Sequence, residues 1–287
     1  MSKLYIKVVV LDIWRGGWGW QGEVELGYQK NRRKEMINMN MRNGTLENGA
    51  LLDTNLDTTF LKVVAVISML LDHVGGTFFP EYPVFRWIGR LAFPIFCYCM
   101  TVGMLYTRDI KRYLGRIAVF AVISQPFWIL AFNPHDFWGN LTNWNIFFTL
   151  FISLLAVWGF KEKKWWLFAV STFVICFWNF DYCFTGILLM LIFYLCRKKP
   201  VLGAVLYTLS YLPALFGGSL EDPLCWVVGG HPVGFEIFSL LALPFIYFHT
   251  NTSIKLPKWF FYVFYPAHLA LIALVRYFMG FWIWWLS

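Results

Sequence analysis

The chain has 287 residues, of which 59% are apolar, 21% aromatic and only 14% charged. A soluble domain carries about 25% charged residues, so this composition calls for a solvent other than water. The net charge is +8, yet the basic residues fall in short clusters between apolar runs. That is a pattern of membrane topology and argues against a nucleic-acid partner.

Residues 1–58 hold Gly, Asn, Lys and Glu without a sustained apolar run, and they are expected to be a disordered cytoplasmic tail. Met36, Met39 and Met41 lie within it, so a later start codon is a second expectation. Residues 59–287 are expected to form one transmembrane domain. Its apolar runs are 60–79, 84–106, 114–133, 144–160, 165–179, 184–196, 201–217, 235–249 and 259–285. A spanning helix needs about 20 residues, so the runs at 165–179 and 184–196 are short.

The loops decide how the runs are counted. Arg108-Lys111-Arg112-Arg116, Lys161-Lys163-Lys164, Arg197-Lys198-Lys199 and Lys255-Lys258 alternate with loops that carry Glu81, Asp136, Asp181, Glu221 and Asp222 but no Lys or Arg. Nine spans put every basic cluster on one side, as the positive-inside tendency requires. Merging 165–196 would break that pattern. The expected fold is therefore an all-α, polytopic bundle of about nine helices in the lipid bilayer of the cell (cytoplasmic) membrane, with its N-terminus inside. The six cysteines lack zinc-like spacing, and no metal is expected; Cys183 and Cys225 both fall in outer loops, which leaves room for one disulfide.

Ionisable groups inside a span are costly unless they pair or face an aqueous cavity, so each is a candidate site residue. Here they are Asp72 and His73 in the first run, Arg86 and Arg90 in the second, and His268 and Arg276 in the last. Counting about 1.5 Å per helical residue from the run ends puts Asp72, His73, Arg90 and Arg276 roughly 9–10 Å below the outer boundary. From an exit near residue 282, His268 lies about 21 Å deep. The spacing Arg86-x-x-x-Arg90 puts both guanidinium groups on one face. Asp72 and His73 point about 100° apart, so Asp72 is expected to pair with Arg90 or Arg276, leaving His73 to face a reacting group. Gly75-Gly76 could loosen the helix end and relax this restriction. Lys62 and Arg116 sit at cytoplasmic ends, where they can snorkel. Asn145 opens the fourth run, either as a helix cap or as a site-lining group. Gln125, inside a run, would line a helix contact or a cavity.

These residues resemble a known family. "LKVVAVISMLLDHVGGTFFP" (61–80), "RWIGRLAFPIF" (86–96), "NIFFTL" (145–150) and "FYPAHL" (264–269) together look like the TraX family of membrane proteins. The resemblance runs from about residue 60 to the C-terminus. The family is named for a conjugation protein that acetylates the N-terminus of F-type pilin. It is also similar to the wider group of multi-span membrane acyltransferases, which use a histidine in an early helix and a nearby R-x-x-x-R. His73 with Arg86 and Arg90 matches those features, and Tyr265, Pro266 and His268 match a late Tyr-Pro-x-His element. The resemblance implies acetyl transfer, with acetyl-CoA as donor and an extracytoplasmic amine or hydroxyl, on a protein N-terminus or a glycan, as acceptor.

In that reading His73 is the general base or a covalent acyl carrier, and Arg86 or Arg90 stabilises an oxyanion or holds phosphate. His268 is a second acid/base group or a helix-to-helix bond. Lys62, Arg116 and Arg90 are the expected cations for the donor's phosphates. Two other classes compete. A proton-coupled transporter could use the same buried groups as a relay, and a non-catalytic scaffold of a secretion or conjugation system would not need them.

Overall fold

The computed structural model describes residues 52–178 and 180–286. Of the expected tail 1–58, the part before residue 52 and its start codon lie outside the described residues, whereas 52–58 is ordered, with Leu52 and Asn55 buried against the bundle. The described chain is mostly helical, with one short hairpin.

Helix α1 (Thr58–Phe78) begins at Asp57, whose carboxylate accepts from the Phe60 amide, satisfying one of the free donors of the first turn. It runs unbroken through Gly75 and Gly76, so these glycines do not loosen its end. The second apolar run is split into α2 (Val84–Gly89) and α3 (Ala92–Tyr106). Pro94 explains the break, because a proline ring clashes with the carbonyl four residues earlier. That carbonyl belongs to Arg90, and it turns away to accept from Ser239 Oγ at 3.3 Å.

Helix α4 (Ile110–Phe132) is capped by Asp109 and carries Pro126. Then follow α5 (Ile146–Lys161), α6 (Trp165–Phe177), α7 (Thr185–Leu195) and α8 (Pro200–Tyr211), which ends in a 3-10 turn at Leu212–Leu215. The two short runs are thus separate helices, α6 and α7. Strands β1 (Trp226–Val228) and β2 (His231–Val233) pair antiparallel around Gly229 and Gly230, whose φ values of +58° and +84° suit glycine. A 3-10 segment (Phe235–Ala242) leads into α9 (Leu243–Tyr247), and α10 (Lys258–Leu286) closes the chain.

Among the described residues, four helical stretches are long and apolar enough to cross a membrane: Thr58–Phe78, Val84–Tyr106, Ile110–Phe132 and Trp259–Gly280. The other apolar helices are shorter. Over an 18-residue span of Val84–Tyr106, 83% of residues are buried, against 28–39% in spans of the same length in the other three. That stretch is the centre of the bundle, and α1, α5 and α7 pack around α3. The outward faces remain apolar, with Ile67, Val119, Val122, Phe173 and Leu271 all exposed, as lipid contact requires.

The starts of α1, α4 and α10 meet at one end of the bundle, the basic end. There Lys62 Nζ lies 5.6 Å from the Phe261 ring centroid, and Phe120 stacks on Tyr262. Asn55 and Asp57 bind Thr250 and Thr252 and so tie the approach to α1 to the approach to α10. All six cysteines are free thiols, so Cys183 and Cys225 form no disulfide.

Candidate functional site

The buried charges form one cluster where α1 crosses α2. Asp72 takes both arginines: Arg86 Nη1 lies 2.8 Å from its Oδ2 and Arg90 Nη2 lies 3.1 Å from its Oδ1. The two side chains do converge on one face, although the helix breaks at Arg90. Two glycines make the crossing close enough. A Cβ on Gly89 would overlap the Asp72 carboxylate, and one on Gly75 would overlap Phe85. The Arg90 guanidinium is further held by rings, 4.9 Å from Phe235 and 5.4 Å from Tyr182. Its Nε is buried with no hydrogen-bond partner among the described residues.

Arg276 is not Asp72's partner. It donates instead to the Ala131 carbonyl near the end of α4. That contact closes the α4–α10 interface and leaves Arg276 out of the cavity.

His73 is not left to itself. Its Nδ1 lies 2.7 Å from His268 Nε2, with the rings nearly parallel. The contact puts His268 at the level of His73, so counting down from residue 282 set it too deep. The reason is that α10 runs on to Leu286, well past the level at which α1 ends. The hydrogen bonds also fix the tautomers. His268 Nδ1 lies 2.9 Å from the Phe264 carbonyl, and a carbonyl only accepts. His268 Nδ1 therefore carries the proton and its Nε2 accepts. His73 must then donate from Nδ1, which leaves Nε2 as a bare lone pair. Among the described residues His73 Nε2 has no hydrogen-bond partner, and His73 lines the cavity. The chain Phe264 carbonyl–His268–His73 is an orienting device of the kind a base needs.

The cavity has a volume of about 600 Å³. Of the residues singled out in the sequence, Asp72, His73, Arg86, Arg90 and Tyr265 line it. Gln125 and Asn145 do not. Asn145 caps α5 and donates to Gln125 Oε1 at 2.7 Å and to the Ala121 carbonyl at 2.8 Å. The pair therefore clamps α4 to α5, and the lining there comes from Ile146 and Phe147. Lys62 and Arg116 lie at the basic end. Phe261, the ring beneath the Lys62 ammonium, forms part of the cavity wall. Arg116 lies 5.9 Å from the Tyr113 ring.

Sequence reasoning missed Asp181, Tyr182 and Glu236, which also line the cavity. Asp181 and Tyr182 sat in a loop that read as an ordinary solvent-facing turn, and Glu236 sat at the outer end of the run 235–249. The turn between α6 and α7 instead folds inward. Thr149 Oγ1 donates to the Asp181 carbonyl at 2.8 Å, and Tyr182 stacks on Phe93 with centroids 3.9 Å apart. Tyr182 holds a φ of 61° to do so, a strained value for a bulky side chain. Asp181 is an exposed residue that lines the cavity, while the atoms packed around it exclude much of the water from its carboxyl. Desolvation raises it from 3.8 to about 6, with Arg90 and Arg86 pulling the other way. The signal that could have found it was its position between two helices too short to hold it at a membrane surface.

A family model described as TraX protein matches residues 57–276. The chain belongs to the TraX family. It is 31% identical over 241 residues to a protein of Dichelobacter nodosus described as "Probable fimbrial assembly protein FimC, serogroup H1", covering 76% of this chain and 95% of that protein. It is also 31% identical over 103 residues to an uncharacterized protein of Rickettsia prowazekii (strain Madrid E), covering 36% of this chain and 37% of that protein. No solved structure matches the chain. All the cavity-lining residues fall within the TraX match.

Proposed function

We propose that this TraX-family protein is a multi-pass membrane acetyltransferase. It moves an acetyl group from cytoplasmic acetyl-CoA to an amine or hydroxyl on the outer side of the cell membrane, in the assembly of fimbriae or a related surface structure. The basic end faces the cytoplasm and nine helical stretches cross or enter the bilayer, some of them short. The observation that carries the reading is the bare Nε2 of His73, oriented by His268 and facing a cavity that Arg90 also lines. The printed name of the Dichelobacter relative supports the setting in fimbrial assembly.

His73 removes the proton of the attacking group as it adds to the thioester carbonyl. Nδ1 stays donated to His268, so the positive charge that His73 gains is shared along the pair. The unpaired Nε of Arg90 offers a donor for the developing oxyanion. Asp72 keeps both guanidinium groups in place and takes no part in proton transfer. Acetyl-CoA supplies an activated acyl group, and Lys62 and Arg116 at the basic end are the residues suited to its phosphates.

The test is release of CoA from acetyl-CoA by the detergent-purified chain, with His73→Ala beside wild type. We expect a loss of about 10²–10⁴-fold for the variant. Full activity in a folded His73→Ala protein would refute the general-base role. The bonded histidine pair also suits a proton relay, so substrate-driven proton flux without any acetyl transfer would replace this reading with a transporter.

A further inference from the structure

The end of the bundle opposite the basic end carries an apolar surface that the cavity does not use. Helix α8 begins just after Lys198 and Lys199, which set its start at the basic boundary. Its outward stripe is Val201, Val205, Leu209 and Leu212, all exposed, at the spacing of one helix face. With its 3-10 turn, α8 is roughly 26 Å long, whereas the hydrocarbon layer is about 30 Å thick. The chain beyond Leu215 therefore starts short of the far boundary of that layer.

Its residues suit such a place. Phe216 is 80% exposed and Leu220 69%, and Trp226, Val227 and Val228 are about half exposed. No Lys or Arg occurs between residues 200 and 254. The backbone largely satisfies itself. Strands β1 and β2 pair with each other, Gly234 donates to the Ala214 carbonyl at 2.7 Å, and His231 Nε2 lies 2.9 Å from the Leu215 carbonyl. A Cβ on Gly218 would overlap the Pro232 backbone, so the chain leaving α8 lies against β2. The hairpin is thus built directly onto the end of α8, and its exposed side chains continue an apolar, lipid-facing surface.

We propose that the hairpin Trp226–Val233, with Phe216 and Leu220, is a membrane-seated element. Its partner is the lipid of the leaflet opposite the basic end, at the boundary between acyl chains and headgroups. The proposal goes beyond acetyl transfer and does not rest on it. Two features set the depth. Among the described residues β1 pairs only with β2, and an open strand edge is not tolerated within hydrocarbon. Glu221 and Asp222 stand next to Leu220, and acids are costly there too. Trp, in contrast, favours the boundary. The hairpin is also tied to the cavity. Trp87 Nε1 donates to the Leu224 carbonyl at 2.7 Å, and Trp87 and Trp226 both pack on Phe238. Just beyond β2, Phe235 covers the Arg90 guanidinium and the exposed Glu236 lines the cavity. A hairpin held by lipid therefore fixes the cavity mouth at the level of the membrane surface.

The experiment uses the full chain in vesicles of dioleoylphosphatidylcholine, with the exposed thiols removed by Cys176→Ser and Cys183→Ser. A thiol-reactive fluorophore is placed through Val227→Cys in the hairpin and, separately, through Phe216→Cys, which keeps the test open if the first variant fails to fold. Val205→Cys on α8 and Lys198→Cys at the basic end are the lipid and water references. The quenchers are a lipid spin-labelled near its headgroup and aqueous iodide. At Val227→Cys and Phe216→Cys we expect quenching by the spin-labelled lipid within about twofold of that at Val205→Cys, and far less iodide quenching than at Lys198→Cys. Iodide quenching equal to that at Lys198→Cys, with none from the lipid, would place the hairpin in water and overturn the proposal. Shielding from both quenchers would mean that protein, such as a second copy of this chain, covers the face, and would overturn it as well.

Discussion

The two ends of the cavity are built on opposite principles. Where α1 crosses α2, the wall is charged: Asp72, Arg86, Arg90, Asp181 and Glu236. Toward the basic end it is apolar, with Met69, Phe96, Leu150 and Phe261, and the nearby cation, Lys62, lies over the Phe261 ring. At the charged end the helices are broken or short, and turns from three parts of the chain bring ionisable groups together. At the basic end long helices pack closely and admit no polar group to the wall. Charge inside a membrane protein is tolerated where partners can surround it, so the crossing sets where proton chemistry can occur. The apolar end suits a long, uncharged arm passing through.

The largest break in this contrast comes from removing the shared anion. Asp72→Ala leaves two guanidinium groups unpaired in a buried site, and losing one partner of such a group costs about 3–5 kcal/mol. The measurement is thermal unfolding of the detergent-purified chain, where the variant should lose most of its stability margin. Gly89→Ala should act in the same direction, because its methyl would displace the Asp72 carboxylate. By contrast, truncating Lys62 at the other end should leave unfolding almost unmoved. Equal stability of Asp72→Ala and wild type would show that the cluster is solvated and not buried.

Much of this arrangement was legible in the residues, and the failures have physical causes. Six ionisable residues inside apolar runs pointed to a buried cluster, and Asp72, His73, Arg86, Arg90 and His268 do come together. Arg276 was drawn into the cluster by depth alone, but depth does not fix the side of the helix that faces the partner. His268 was set too deep because its helix runs on past the level of its neighbours. Asn145 and Gln125 are polar groups inside spans, and their need for partners was met by each other. Asp181 was invisible, because nothing local in a loop sequence says whether the loop folds inward, and Glu236, at the outer end of the run 235–249, gave no sign of which way it faces. The helices themselves followed the apolar runs, and the break at Arg90 is traceable to Pro94. How many of the shorter helices cross the bilayer does not follow from hydropathy, since they are shorter than a bilayer requires.

A smaller effect sharpens the role of the histidine pair. His268→Phe keeps an aromatic ring but removes the acceptor for His73 Nδ1–H. One hydrogen bond of this kind contributes about 1 kcal/mol, and the tautomer with a bare Nε2 is no longer enforced. We expect kcat to fall roughly five- to tenfold with little change in KM for acetyl-CoA. A loss as large as that of His73→Ala would mean that His268 itself carries a proton in the reaction. Its position off the cavity wall makes an orienting role the expected outcome.

The smallest effect tests the apolar end. Lys62 is half-buried, and its ammonium rests over Phe261 at 5.6 Å. A single cation near the surface contributes about 0.2–1 kcal/mol to an ionic contact and is weakened by salt. Lys62→Ala should therefore raise KM for acetyl-CoA only about two- to fivefold, with kcat unchanged, and the difference should fade above roughly 0.5 M salt. Phe261→Ala, which opens the wall without touching a charge, should alter donor kinetics in a way that salt does not. If Lys62→Ala instead lowered kcat at saturating donor, the cation would be acting on the reacting end of the cavity. The division between a charged end for proton transfer and an apolar end for the donor arm would then fail.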